Sequence, residues 1–478
     1  MNYRMITYIL GWILIFEAIF MGVPILTAVF CGESAVLWFL ATAAVCVSIG
    51  LALTKIKKPQ NKKLYSREGF VIVSLSWIVL SVFGALPFFL SGEIPSFIDA
   101  LFETVSGFTT TGASILDDVE MLSKSMLMWR SFTHWVGGMG VLVFIMAFVH
   151  LSGAQNMHIM KAESPGPSVS KLVPRVKTTA LLLYGIYFVL TLIEFILLLF
   201  GGLTPFEALN TAFATAGTGG FGIYGDSIGG FSVYNQIVVI AFMLLFSVNF
   251  NSYFCLLKGK FRDAFSLEVR IFFTIVIISV LTIACNIMDS IGGFRKALLD
   301  SSFAVSSIIS TTGFSTVDFN NWPELSRTIL VLLMFVGACA GSTGGGMKVS
   351  RIIILFKNLG KELLMMIHPN QVKKVKMDGH SIESRTVHSV GVYIVAYLAL
   401  MIVSIGIISF DNHDLITNFT AVVSAVNNIG PGLEMVGPSA NFGFFSIPSK
   451  LVLIFDMLAG RLELFPMLLL FNPAMWKK

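Results

Sequence analysis

Ten apolar stretches dominate this 478-residue chain: 5–30, 34–54, 69–91, 128–150, 178–201, 233–257, 268–289, 325–347, 386–410 and 449–472. Each is close to or above the roughly 20 residues that a helix needs to cross about 30 Å of hydrocarbon. Lipid offers no partners to backbone N–H and C=O groups, so stretches of this length are restricted to helices. Only 12% of the residues are charged, against roughly one quarter in soluble domains, and the expected class is an all-α polytopic membrane protein. The first stretch starts near Arg4 but is too long for a secretory signal and lacks a small-residue cleavage site, so it reads as a retained helix.

Ten crossings put both termini on one side. The segments on that side (1–5, 54–68, 151–177, 258–270, 348–385 and 473–478) hold 25 of the 32 Lys and Arg residues. The bias of cytoplasmic loops toward Lys and Arg makes that side cytoplasmic. It also accounts for the cluster Lys55, Lys57, Lys58, Lys62, Lys63 and Arg67, so no nucleic-acid partner is inferred. Cys31, Cys46, Cys255, Cys285 and Cys339 lie in or beside apolar stretches without metal-ligand spacing and read as buried small side chains.

Four connections on the opposite side break this pattern. They are "PSFIDALFETVSGFTTTGAS", "TPFEALNTAFATAGTGGFG", "KALLDSSFAVSSIISTTGFS" and "HDLITNFTAVVSAVNNIGPG", each an apolar part of about 12 residues followed by a polar, glycine-bearing tail. Such parts are too short to span and fit re-entrant helices. Aligned on Gly112, Gly220, Gly313 and Gly430, they place Ser96, Thr204, Ala297 and Asp414 sixteen residues upstream; three of these are good helix N-caps. Thr204-Pro205-Phe206-Glu207 has the capping-box pattern with proline at the first helical position. The expected architecture is therefore two N-terminal transmembrane helices (1–68) followed by four pseudo-symmetric helix–pore helix–filter–helix repeats, 69–177, 178–267, 268–384 and 385–478, around a central pore.

Irregular backbone at membrane depth is tolerated where it is buried in protein or lines a watery path. The tails Thr110-Thr111-Gly112, Thr218-Gly219-Gly220, Thr311-Thr312-Gly313 and Asn428-Ile429-Gly430 contain no carboxylate. What they offer is backbone carbonyls, with glycine permitting the turn that aims them. Rings of carbonyls replace the hydration shell of a monovalent cation such as K⁺, whereas a hard divalent ion is expected to demand carboxylates. Short helices entering from outside point their partially negative C-termini at the same place. Asp117, Asp118, Glu120, Asp226, Asp318, Glu324 and Glu434 would either concentrate cations at the mouth or be ordinary loop charges.

These residues resemble the TrkH/KtrB/HKT superfamily of potassium transporters, and the bacterial Trk membrane subunit in particular. The resemblance rests on "SGFTTTGAS" (106–114), "GTGGFG" (217–222), "STTGFST" (310–316) and "NNIGPG" (427–432), with "HWVGGMGVLVF" (134–144), "AESPGP" (162–167) and "GSTGGGMKVSR" (341–351) in order between them. It implies K⁺ as the transported ion, a glycine in each filter that goes with potassium preference, a multi-pass protein of the bacterial inner membrane, a homodimer, and a cytosolic, nucleotide-binding TrkA-like ring as regulatory partner. No nucleotide site is read in this chain, since 348–385 is too short for one.

Two features read as a gate. "GACAGSTGGGMK" (337–348) sets five glycines inside an otherwise spanning stretch, which favours either close helix packing or a break into an intramembrane loop. The family has an obstructing loop here, carried by Gly341, Ser342, Thr343, Gly344, Gly345 and Gly346. Arg461 lies inside the last stretch, where an arginine needs a watery path or a carboxylate; the candidates are the family's positive pore barrier and a pair with Asp456 or Glu463. Arg130, His134, Glu17 and Glu194 receive no transport role, the first two being near an outer boundary. An enzyme is disfavoured, because Gly346 is followed by Met347-Lys348-Val349 rather than the Lys-Ser/Thr of a phosphate loop. A symporter coupled to H⁺ or Na⁺ remains open on this architecture.

Overall fold

The computed structural model describes residues 1–56, 65–140, 176–371 and 373–476. Its helices are α1 (Tyr3–Phe20), α2 (Gly22–Cys31), α3 (Val36–Ile56), α4 (Ser66–Gly84), α5 (Leu86–Ser91), α6 (Phe97–Phe108), α7 (Lys124–Gly138), α8 (Val176–Phe200), α9 (Pro205–Gly217), α10 (Val233–Phe246), α11 (Phe250–Leu257), α12 (Phe261–Ala264), α13 (Leu267–Ile291), α14 (Phe294–Ile309), α15 (Glu324–Val336), α16 (Val349–Ile367), α17 (Ser384–Ile408), α18 (Leu415–Asn427), α19 (Ile447–Arg461), α20 (Phe465–Leu470) and α21 (Pro473–Trp476). A two-stranded hairpin pairs Lys376 with Ser381 and Met377 with His380.

Among the described residues six helical stretches are long and apolar enough to cross a membrane, or seven if α10 and α11, bent by 91°, count as one. Of the remaining expected spans, 325–347 and 449–472 are interrupted, and in 128–150 the described helix ends at Gly138. With 233–257, described helix in these four stretches stops at Gly138, Phe246, Val336 and Arg461. In VGGMG, VGACAGSTGGG and GRLEL glycine destabilises the helix interior by about 1 kcal/mol, and Glu463 and Leu464 leave the last helix with φ of 54° and 67°; after Phe246 it is Asn249 that starts a new helix, accepting Asn251 N–H at 2.9 Å. The second half of the 128–150 stretch and the AESPGP motif lie outside the described residues.

The two N-terminal spans pack through small residues. A Cβ on Gly11 would fall 2.9 Å from the Gly50 carbonyl, and one on Gly50 would fall 2.7 Å from that of Gly11. α1 then lies against α4, and α2 against α7. Cys46 and Cys339 are buried, but Cys31 and Cys285 face outward, so only part of the cysteine expectation holds.

Of the short helices α6, α9, α14 and α18, three start as their caps dictate: Ser96, Thr204 and Asp414 accept the N–H of Asp99, Glu207 and Thr417. The other, α14, has no capping residue at the aligned Ala297 and starts earlier. Gly292 and Gly293, at φ of 88° and 128°, turn the chain sharply after α13, so that α14 starts at Phe294 and absorbs Ala297 into its interior. At Thr204 the capping box is complete: Glu207 N–H donates to the threonine hydroxyl at 3.3 Å and its carboxylate accepts Thr204 N–H at 2.7 Å. Partial burial pushes the Glu207 carboxyl up, but hydrogen bonds from Tyr224 and Thr204 outweigh it and hold the group below its usual range. A depressed folded value adds stability above the unfolded one, lost as pH falls through the folded one. Thr204→Ala should therefore destabilise by about 1 kcal/mol, read as a lower melting temperature in detergent. Ala297→Ser should bring no capping gain.

Candidate functional site

The four short helices end identically. Thr110, Thr218, Thr311 and Asn428 stand at φ of 55°, 55°, 58° and 54°, and Gly112, Gly220, Gly313 and Gly430, two positions on, at 80°, 77°, 85° and 102°. Left-handed φ is uncommon outside glycine, so four occurrences in one register mark a constrained shape. The hydrogen bonds repeat as well. Thr110, Thr218, Thr311 and Asn428 donate to carbonyls three residues back at 3.1, 2.9, 3.0 and 3.2 Å. The following residues, Thr111, Gly219, Thr312 and Ile429, donate five back at 2.9, 2.9, 2.9 and 3.0 Å. This pattern caps the last carbonyls of each helix and turns the chain away from its axis.

The tails then meet in a closed cycle. A Cβ on Gly112 would lie 2.0 Å from the Gly219 carbonyl oxygen, on Gly220 2.0 Å from that of Thr312, on Gly313 2.0 Å from that of Ile429, and on Gly430 2.8 Å from that of Thr111. The first tail thus abuts the second, the second the third, the third the fourth, and the fourth returns to the first. Among the described residues nothing donates a hydrogen bond to the carbonyls of Thr111, Gly219, Thr312 or Ile429, although all four residues are buried. Buried carbonyls are ordinarily paired, and four that share one ring suit a cation.

Residues without an assigned sequence role hold the ring from behind. Arg130 and His134 are buried rather than near a wetted boundary. Arg130 pairs with buried Glu103 at 2.7 Å, and the pair reaches both neighbouring tails: Glu103 accepts Ile115 N–H at 3.0 Å, and Arg130 donates to the Gly222 carbonyl at 3.2 Å. His134 accepts Phe221 N–H on Nε2 at 3.2 Å, which leaves Nδ1 protonated to donate to the Gly107 carbonyl at 2.7 Å. Its ring also explains why the second tail carries glycine where the first and third carry threonine: a Cβ on Gly219 would sit 2.2 Å from the imidazole. On the mouth side the acidic residues bond between loops. Asp117 accepts from Asn441 at 2.8 Å, Glu120 from Gly225 N–H at 3.2 Å, and Arg327 bridges Glu324 and Glu434.

Beneath the ring the helix break falls at 337–348, between α15 and α16. Gly337, Gly341 and Gly346 adopt φ of 63°, 74° and 68°, and the rest of the segment folds back on itself. Its tip touches the ring: Gly345 N–H donates to Thr311 Oγ1 at 2.7 Å, and Gly344 packs under the Ser310 carbonyl. The bend between α10 and α11 supplies its backbone partners, with Cys339 and Thr343 N–H donating to Ser247 and Phe246 carbonyls at 3.1 and 3.3 Å. Arg461 does not pair with Asp456 or Glu463. It donates to the Thr343 carbonyl at 2.8 Å and to those of Gly137 and Gly138 at 2.5 and 2.9 Å. Asp456 accepts from Ser404 instead, and Glu463 pairs with Arg351. Ser342 and Gly341 lie at the outer edge of the loop, less buried than Thr343, Gly344 and Gly345.

Comparison with known proteins matches residues 38–478 to the TrkH family model, described as a cation transport protein. The chain belongs to the TrkH family. It is 37% identical over 489 residues to the Trk system potassium uptake protein TrkH of Escherichia coli K12, covering all of both chains. It is 31% identical to TrkG of the same organism, covering 99% of each chain. The crystal structure of the potassium transporter TrkH from Vibrio parahaemolyticus superposes over the full length of both chains with a TM-score of 0.90 at 33% identity. The family consists of membrane transport proteins, as the sequence reading of a transporter rather than an enzyme expected.

Gly219→Ala should be destabilising by about 1–3 kcal/mol through overpacking against the imidazole. His134→Ala in the same chain should recover part of that loss, measured as melting temperature by fluorescence-detected size exclusion. Additive losses would show that the two side chains do not meet.

Proposed function

We propose that the chain takes up K⁺ across the bacterial inner membrane through a channel-like path. Both termini are placed in the cytoplasm, as the Lys and Arg bias supports. The observation that carries this reading is the closed cycle of glycines and carbonyls to which nothing among the described residues donates. Thr110, Thr111 and Gly112, Thr218, Gly219 and Gly220, Thr311, Thr312 and Gly313, and Asn428, Ile429 and Gly430 would coordinate the ion through backbone oxygen, as carbonyl filters do. The C-termini of α6, α9, α14 and α18 add their partial negative charge, and the absence of carboxylates from the tails suits a monovalent ion. The named relatives are potassium transporters, and their Trk system naming supports further Trk components: a homodimer and a TrkA-like cytosolic ring are part of the proposal.

Gly341, Ser342, Thr343, Gly344, Gly345 and Gly346 are assigned the gate, with Arg461 as the charge that repels cations while it grips Thr343. In liposomes, rubidium and potassium should pass better than sodium or lithium; equal sodium and potassium fluxes would overturn the assignment. Flux that persists without a proton or sodium gradient separates the channel-like path from symport. Gly313→Ser should weaken the preference, because the new Cβ meets the Ile429 carbonyl, and unchanged permeability ratios would argue against that position. Deleting 341–346 should raise basal rubidium flux in protein that still elutes as one peak; a deletion variant no leakier than the parent removes the loop from the gate.

A further inference from the structure

The loop 337–348 has a tip and a neck, and the two are held by different chemistry. The tip rests on the ring and on Arg461. The neck is closed by Val349 N–H donating to the Ala338 carbonyl at 3.2 Å and by a carboxylate from another element. That carboxylate is Glu268, in the first turn of α13 and 5% exposed. One oxygen, Oε1, accepts Ala340 N–H at 2.8 Å and Ser350 N–H at 3.0 Å, so a single atom holds both sides of the loop. Both donors are buried, and charge-assisted bonds of this kind are among the stronger ones a backbone makes. Lys348 completes the neck from inside: its ammonium bonds the Gly344 carbonyl and lies 3.4 Å from that of Gly345.

We propose that Glu268 is a positioning residue for the gate, the fixed pivot about which the loop tip leaves and returns to the ring. The inference rests on the reading of 337–348 as the gate. Two N–H groups converging on one oxygen keep Ala340 and Ser350 together whichever way the tip points, so the loop can swing as a flap while α15 and α16 stay in register. The left-handed glycines Gly341, next to Ala340, and Gly346, four residues before Ser350, lie between the two held residues, where a flap must bend. Without the carboxylate the neck opens, two buried donors lose their partner, and the tip no longer returns to one seat. Glu268 touches none of the ring residues, so the ring's preference among ions is untouched.

The test uses the full chain in liposomes, measuring rubidium flux and the potassium-to-sodium ratio for the parent, the 341–346 deletion, Glu268→Ala, Glu268→Asp and Glu268→Gln. Glu268→Ala should raise basal flux on the order of tenfold, as expected for losing about 1.4 kcal/mol from the closed state, at an unchanged ion ratio. Glu268→Gln keeps an acceptor oxygen in place and should return most of the way to the parent. If Glu268→Ala fails to fold, Glu268→Asp decides, since it keeps the charge but falls short of the two donors. A leaky deletion variant beside a Glu268→Ala, or its aspartate substitute, at parental flux overturns the pivot and leaves the gate standing. A deletion variant that is not leaky overturns the gate and the pivot with it. A lowered ion ratio in Glu268→Ala would place the carboxylate's action on the ring and overturn the proposal as well.

Discussion

The structure depends on a close approach: in each quarter of the ring a carbonyl oxygen occupies the place where a side chain would begin. Three of the four approaches are 2.0 Å from the ideal Cβ position and the fourth is 2.8 Å, so only glycine is compatible with the cycle. The capped ends of α6, α9, α14 and α18, the left-handed residues before each glycine and the buried Glu103–Arg130 pair all serve to bring these backbones together. Burying such a pair is expensive in solvation, and its hydrogen bonds to two adjacent tails explain where that expense is offset.

A second constraint lies below the ring. There the described helices stop at Gly138, Phe246, Val336 and Arg461, which frees backbone groups at each break. Their freed groups are reused. The bend after Phe246 supplies acceptors for the loop 337–348, and Arg461 gathers the carbonyls of Thr343, Gly137 and Gly138. The breaks are thus one connected layer.

Much of this was legible in the chain. Glycine spacing, the caps at Ser96, Thr204 and Asp414, and the glycine-rich break at 337–348 are local signals, and local signals survive into structure. The lack of a cap at Ala297 is local too, and Gly292-Gly293 set the earlier turn there. What the sequence could not convey is pairing at a distance. Glu268 looks like any charge at the edge of a span until the residues 72 and 82 positions away arrive beside it. His134 similarly gains meaning only from Phe221 and Gly219, more than 80 positions away. The signal that could have found both is the rarity of ionisable residues at membrane depth.

The four quarters of the ring are covalently one chain, and that sets a stoichiometry no dilution can change. A ring assembled from four separate copies exists only above some protein concentration, and any substitution strikes all its quarters at once. Here the four positions hold threonine twice (Thr111, Thr312), glycine (Gly219) and isoleucine (Ile429) around one cycle, so each quarter can drift alone. Evolution can alter a single edge of such a ring while three others hold its shape.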